Sequence, residues 1–251
     1  MMNPAEFANI ANCEANFWWF RGMRGIMFAL LDPVASKRCL QRVLEAGAGT
    51  GHFSKTLAER YGWKMFPLDL GWEGLDFARG YGLSRLAQAD IRALPYRDAA
   101  FDALVSMDVI VHLPRGEEDA PMREFARVLE PGGLLALRVS ALDILRSRHS
   151  EFAHERQRFT RSRLIELARR HGFTVHRCTY ANSLLLPVAL AKFRLWEPLT
   201  RQPATSGVQP APPWLDSALG LPLSAEAKWI GAGMNFPLGQ SVVLIGEKTP
   251  T

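Results

Sequence analysis

Three groups of residues in this chain have the types and spacing for chemistry. The first is Glu45-Ala46-Gly47-Ala48-Gly49-Thr50-Gly51, an acid followed by glycines at alternate positions. Glycines so placed let the backbone turn tightly and approach a ligand with no Cβ in the way. A helix beginning behind them would offer free N–H groups to an anionic group. The second group is Asp69 and Asp90, each following a short apolar run. A carboxylate at the end of a strand can accept hydrogen bonds from both ribose hydroxyls. The third is His112, His149 and His154, whose side-chain type exchanges protons near neutral pH.

A glycine loop alone is shared by several nucleotide-binding folds. A dinucleotide site asks for GxGxxG. Here the third glycine, Gly51, comes one residue early, and His52 stands where the last glycine belongs. That spacing is wrong for NAD.

The elements that must carry these residues alternate. Arg42 to Ala46 reads as a strand, His52 to Arg60 as a helix, Lys64 to Leu70 as a second strand and Gly74 to Arg79 as a short helix. Leu86 to Ala89 and Phe101 to Met107 follow as strands, Pro121 to Leu129 as a helix, and Leu134 to Ser140 as a fifth strand behind a Pro-Gly-Gly turn. Strands alternating with helices imply a mainly parallel sheet covered on both faces. Thr160 is placed to cap a helix that runs to His171 and stops at Gly172; Phe173 to Tyr180 then alternates as a strand. Ahead of this core, residues 4–31 read as one or two short helices closed by Asp32-Pro33, with the aromatic cluster Phe17-Trp18-Trp19-Phe20 among them. The run 184–193 with Trp196 reads as a greasy helix. Residues 198–224, rich in Pro, Gly and Ser, read as a long loop, with Ser224 capping a helix to about Met234 and Ser241 to Gly246 as the last strand.

The acid-and-glycine loop, Asp69 after the second strand, Gln88-Ala89-Asp90-Ile91 after the third, FDALVSMDVIVHL and REFARVLEPGGLLALRVS together resemble class I S-adenosylmethionine-dependent methyltransferases, in particular the ubiquinone/menaquinone-type (type 11) group. The resemblance is dense over about 43–140 and looser in the closing PLGQSVVLIGEK. It implies a Rossmann-like, doubly wound, seven-stranded, mostly parallel sheet with a C-terminal antiparallel strand, an N-terminal helical lid and an inserted segment near 181–224. The implied organisation is one domain, with the lid at 1–33, the cofactor core at 40–140, an acceptor-side segment at 141–224 and a final helix and strand at 225–251.

The resemblance also implies S-adenosyl-L-methionine as cofactor, held by Glu45, Gly47, Ala48, Gly49 and Gly51 in the loop and by Asp69 and Leu70 beside the ribose. Asp90 would accept from the adenine amino group, Ile91 would pack on the ring, and Met107 would close the pocket. In the lid, Trp19 and its neighbours would shield the methyl group, and Arg21 or Arg24 would pair with the methionyl carboxylate. His112 falls at the rim where the methyl points; His149 and His154 fall on the acceptor side.

The acceptor implied is a small metabolite, hydrophobic or partly anionic, methylated at O, N or C. The alternative is a nucleic acid, since the segment from Arg138 to Arg177 holds ten arginines against four acids and the chain's pI is about 9.4. Against it, the fourth strand ends Ser106-Met107-Asp108-Val109 and lacks the [DNS]PP[YFW] of enzymes that methylate base amino groups. No nucleic-acid partner is therefore expected, and the assembly is a monomer or homodimer. Three scattered cysteines (Cys13, Cys39, Cys178) give neither a disulfide framework nor a zinc site. With no signal peptide and no apolar run near the roughly 20 residues that span a bilayer, a cytoplasmic protein is expected.

Overall fold

The computed structural model of the chain describes residues 4–200, 206–208 and 212–250. The strands are β1 (Arg42–Ala46), β2 (Lys64–Asp69), β3 (Ala87–Gln88), β4 (Phe101–Met107), β5 (Leu129–Ser140), β6 (Phe173–Ala181) and β7 (Ser241–Lys248). They form one sheet in the order β3-β2-β1-β4-β5-β7-β6. Every neighbouring pair from β3 to β5 is parallel, and β7 runs antiparallel to both β5 and β6. This is the seven-stranded, mostly parallel α/β sheet with one antiparallel strand that the sequence implies.

Period-two patterning divides the strands between two cores. Val43, Ala103 and Leu134 face one side, whereas their successors Leu44, Leu104 and Leu135 face the other. The second face is covered by α5 (Asp119–Val128) through Met122 and Phe125, and by α7 (Arg161–Arg170) through Leu164 and Leu167. Thr160 caps α7 by accepting from the Arg163 N–H. The first face is covered by α2 (Trp18–Ala35), α3 (His52–Tyr61) and α10 (Pro213–Gly231). The remaining helices are α1 (Pro4–Cys13), α4 (Trp72–Gly80), α6 (Arg148–Phe152), α8 (Leu186–Ala191) and α9 (Glu197–Thr200), with a π-helical turn (Lys192–Trp196) joining the last two. Among the described residues no helix is long and apolar enough to cross a membrane.

Several boundaries differ from the sequence reading: β5 already begins at Leu129, so the Pro-Gly-Gly stretch lies within the strand, and two other differences concern the helices. Asp32-Pro33 does not close the N-terminal helix, which runs on to Ala35. Proline's φ suits a helix, and so near the C-terminus it removes only one ladder bond. Asp32 meanwhile anchors that end to Arg60 and Tyr61, both at 2.6 Å. The expected long loop at 198–224 is instead largely helical. α9 ends at Thr200 and α10 starts at Pro213, while residues 201–205 and 209–211 lie outside the described residues. Ser224 sits inside α10, its hydroxyl donating to the Gly220 carbonyl, and caps nothing. Leu219, Leu223, Ala227 and Ile230 form the stripe that packs on α2. The approach is close: a Cβ on Gly22 would lie 2.3 Å from Leu223. Gly22 thus admits the neighbouring helix.

Candidate active site

A cavity of about 920 Å³ opens over the carboxyl ends of β1, β2 and β4 and continues past β5 towards α6 and the 192–196 turn. In open α/β sheets this is the edge where ligands bind. Its size lies near the top of the roughly 300–1,000 Å³ range of small-molecule pockets.

At one end lies the glycine loop. The N–H groups of Gly47 and Ala48 donate to the Leu68 carbonyl at 2.7 and 2.8 Å, folding the loop back on β2. Gly47 has φ 85°, and a Cβ there would meet a Val109 methyl at 2.1 Å. Asp69 receives the Gly49 N–H on one carboxylate oxygen and the Gly71 N–H on the other, both at 2.8 Å. This acid therefore ties two loops together while lining the cavity. Burial raises its pKa, and the backbone donors oppose the rise. Glu45 lies deeper, fully buried; it accepts from the Ser54 hydroxyl, and burial pushes its pKa up to about 8.

Ala48, Leu70, Ile91, Met107 and Trp19 also line the cavity. Asp90 does too, but its carboxylate is engaged by Arg92 at 2.7 Å, which holds its pKa below the usual range. Gly51 does not reach the cavity. Its φ of 76° turns the chain into α3, and a Cβ there would lie 2.4 Å from that of Ala78. The third glycine serves helix packing, whereas the sequence reading expects it to contact the cofactor.

The lid residues separate. Trp18 and Trp19 line the cavity while α2 beyond them packs on the sheet. Arg21 points the other way, to Asp216 of α10 at 2.7 Å, and is corrected as a cofactor contact because that ion pair draws it out of the cavity. Arg24, three residues on, lines the cavity and donates to the carbonyls of Glu14 and Ala15. Glu14, absent from the sequence reading, accepts from the Thr50 hydroxyl at 2.6 Å and from Tyr81 at 3.2 Å, clasping the glycine loop. Beside it His52 begins α3; burial pushes its pKa down to about 4, so it stays neutral there.

On the acceptor side, His112 and His149 both line the cavity. His112 places Nδ1 3.3 Å from the His154 carbonyl oxygen, and burial lowers its pKa. His149 Nδ1 accepts the Gly207 N–H at 3.0 Å, and burial lowers its pKa too. His154 is exposed, and its backbone is left-handed (φ 58°), with its carbonyl towards His112. Among the described residues no cluster of His, Cys, Asp or Glu could hold a metal ion. Some arginines of the basic segment are paired with acids: Arg138 with Asp108, Arg158 with Glu155 and Arg163 with Glu118.

Residues 43–133 match a family model described as a methyltransferase domain. This chain carries a class I S-adenosylmethionine-dependent methyltransferase domain. The domain is similar to a ubiquinone biosynthesis O-methyltransferase of Xanthomonas oryzae, 36% identical over 136 residues, covering 49% of this chain and 56% of that protein. It is also similar to a malonyl-[acyl-carrier protein] O-methyltransferase of Enterobacter lignolyticus, 36% identical over 118 residues, 47% of this chain and 45% of that one. The chain thus spans about half the length of the curated relatives it matches. In fold, the methyltransferase domain resembles a protein solved with the Trm112 methyltransferase activator of Haloferax volcanii, TM-score 0.59 and 19% identity, covering 92% of this chain and 93% of that one. A methyltransferase of Thermotoga maritima gives TM-score 0.56 at 19% identity, covering the same shares. The cofactor of such a domain is S-adenosylmethionine, and the cavity that would take it is lined by Gly47, Ala48, Gly49, Asp69 and Asp90.

Proposed function

We propose that this chain transfers the methyl group of S-adenosylmethionine to a small, mainly apolar acceptor by in-line displacement. The observation that carries this is the continuity of the cavity. One end holds Gly47, Gly49, Asp69 and Asp90, the other is walled by Trp19, Phe193 and Trp196, and His112 stands between. When bound, the cofactor supplies a sulfonium-activated methyl, so the protein's work is alignment, exclusion of water and removal of a proton.

The cofactor end divides by chemistry. Asp69 keeps acceptor capacity for ribose hydroxyls, Ile91 offers an apolar surface to the adenine, and Arg24 is the cation for the methionyl carboxylate. At His112 a carbonyl can only accept, so Nδ1 carries the hydrogen and Nε2 keeps its lone pair. A neutral imidazole in that tautomer takes the proton that an O–H or N–H nucleophile gives up.

Asp108 and Glu155 neutralise two of the cavity's cations, Arg138 and Arg158. Calorimetry with S-adenosylmethionine, its demethylated product and NAD is the first test. Tight binding of the first two is expected, and preference for NAD would refute the reading. Mass spectrometry of extracts incubated with methyl-labelled cofactor then identifies the acceptor.

A further inference from the structure

Five non-glycine residues among those described have left-handed backbone, and two of them line the cavity: Asp108 (φ 55°) just after β4 and Asn182 (φ 54°) just after β6. Asp and Asn bear this conformation best, and strain of this kind gathers at ligand-binding sites. Arg138, only 7% exposed, also lines the cavity; it pairs with Asp108 and lies 4.7 Å from the Trp19 ring centre. Asn182 is 2% exposed. Asp108 Oδ1, Arg138 Nε and Asn182 Oδ1 are all buried without a hydrogen-bond partner. Glu155 Oε1 and Arg158 Nε, on two further cavity-lining side chains, also make no hydrogen bond but face each other at 2.9 Å. Buried polar atoms are nearly always satisfied, so the three without such a neighbour call for a ligand.

Their chemistry is mixed. Arginine only donates, a carboxylate only accepts, and an amide does both. The two charges cancel, so the wall favours neither anion nor cation. Ser140 and Ser241, also lining the cavity, add hydroxyls that donate or accept. We infer that Asp108, Arg138 and Asn182 form the recognition wall for the acceptor's polar end, and that it takes an uncharged planar group which both donates and accepts hydrogen bonds. A primary amide, or a hydroxyl beside a carbonyl, has that character. A carboxylate would meet Asp108 with no proton to give; a cation would face Arg138. The inference rests on the reading that this chamber holds the methyl acceptor.

Benzamide, benzoate and benzamidinium are near-isosteres that differ in this property alone. Each is titrated by ligand-observed NMR into the full chain, with and without S-adenosylhomocysteine. Benzamide is expected to bind at least tenfold tighter than either ion. Asp108→Asn leaves Arg138 uncompensated and should shift the preference at least tenfold towards benzoate. Asn182→Gly keeps the left-handed backbone and should weaken benzamide while S-adenosylhomocysteine binds as before. Equal binding of the three probes, binding of none, or an order unmoved by Asp108→Asn overturns the inference. Failure of S-adenosylhomocysteine to bind removes the methyl-transfer reading, while the probe order on the unloaded chain still decides this one.

Discussion

His112 and His149 face one chamber in opposite tautomers. His112 Nδ1 lies 3.3 Å from a carbonyl oxygen and so bears its hydrogen, whereas His149 Nδ1 accepts a backbone N–H at 3.0 Å and so bears none. Their Nε2 atoms therefore have opposite character, a lone pair on His112 and a donor on His149. His112→Gln is expected to lower kcat by about 10²-fold or more, the usual worth of a general base, with cofactor Kd within threefold. His149→Gln should act mainly on the acceptor's KM. Burial lowers the His112 pKa, so kcat/KM should hold on the acid side of neutrality and fall only below the ordinary histidine value of about 6.5. An unchanged kcat in His112→Gln would exclude it as base.

Thr50 and Glu14 join the glycine loop to the chain that links α1 and α2. Thr50→Val leaves a buried carboxylate short of a donor, at a cost of about 1–3 kcal/mol. Cofactor affinity should fall about tenfold in calorimetry, and amides of α1 should exchange faster. Affinity and exchange both at wild-type levels would show that the clasp does not couple the helices to the loop.

Arg21 and Arg24 lie one turn apart on α2, the first paired with Asp216 and the second lining the cavity. Arg24→Ala should weaken cofactor binding at least tenfold, while Arg21→Ala, which loses the exposed pair with Asp216, should stay within threefold. The reverse result would restore the expectation that Arg21 meets the methionyl carboxylate.

Glu45 titrates near pH 8 in the folded chain, against about 4.3 for an unperturbed glutamate. Its folded pKa is raised, so its contribution to stability is full below about pH 4 and is lost as pH rises towards 8. Glu45→Gln, neutral throughout, should match wild-type Tm near pH 5 and exceed it by a few degrees at pH 9. Parallel Tm profiles from pH 5 to 9 would show that Glu45 does not titrate in this window.

Gly22 and Gly25 offer a matched pair on α2. Gly22→Ala puts a methyl 2.3 Å from Leu223 and should destabilise by about 1–3 kcal/mol, a Tm loss of several degrees for a chain of this size. Gly25→Ala meets only Ala227 at 3.7 Å and should be neutral or stabilising by up to about 1 kcal/mol. Thermal unfolding of the two variants side by side checks both signs.

The loop and its following acids were legible because each is a local event, a strand end followed by a turn residue. Asp69 and Asp90 could be placed without knowing what packs on them. Residues whose direction depends on distant partners were not legible. Nothing local says that Arg21 turns to Asp216, 195 positions away, or that Glu118 answers Arg163. Counting arginines over a window therefore misses the pairs that Arg138, Arg158 and Arg163 make. α10 was hidden by Pro213, Gly220 and Pro222, which read as loop residues, although its buried stripe keeps helical spacing. Asp108 and Asn182 each follow the last residue of a strand, an audible signal only when joined to the left-handed backbone they adopt.

The packing of α10 along α2 changes what the N-terminal region can do. A helix gripped between the sheet and a second helix is a fixed wall and does not swing to admit substrate. Among the described residues, α1 and α6 meet the 206–208 segment through the Ser206–Glu6 and Gly207–His149 hydrogen bonds, on the side of the cavity away from that wall. The lifetime of those two contacts, more than the chemistry they overlie, would then set how long spent cofactor stays before the next turnover begins.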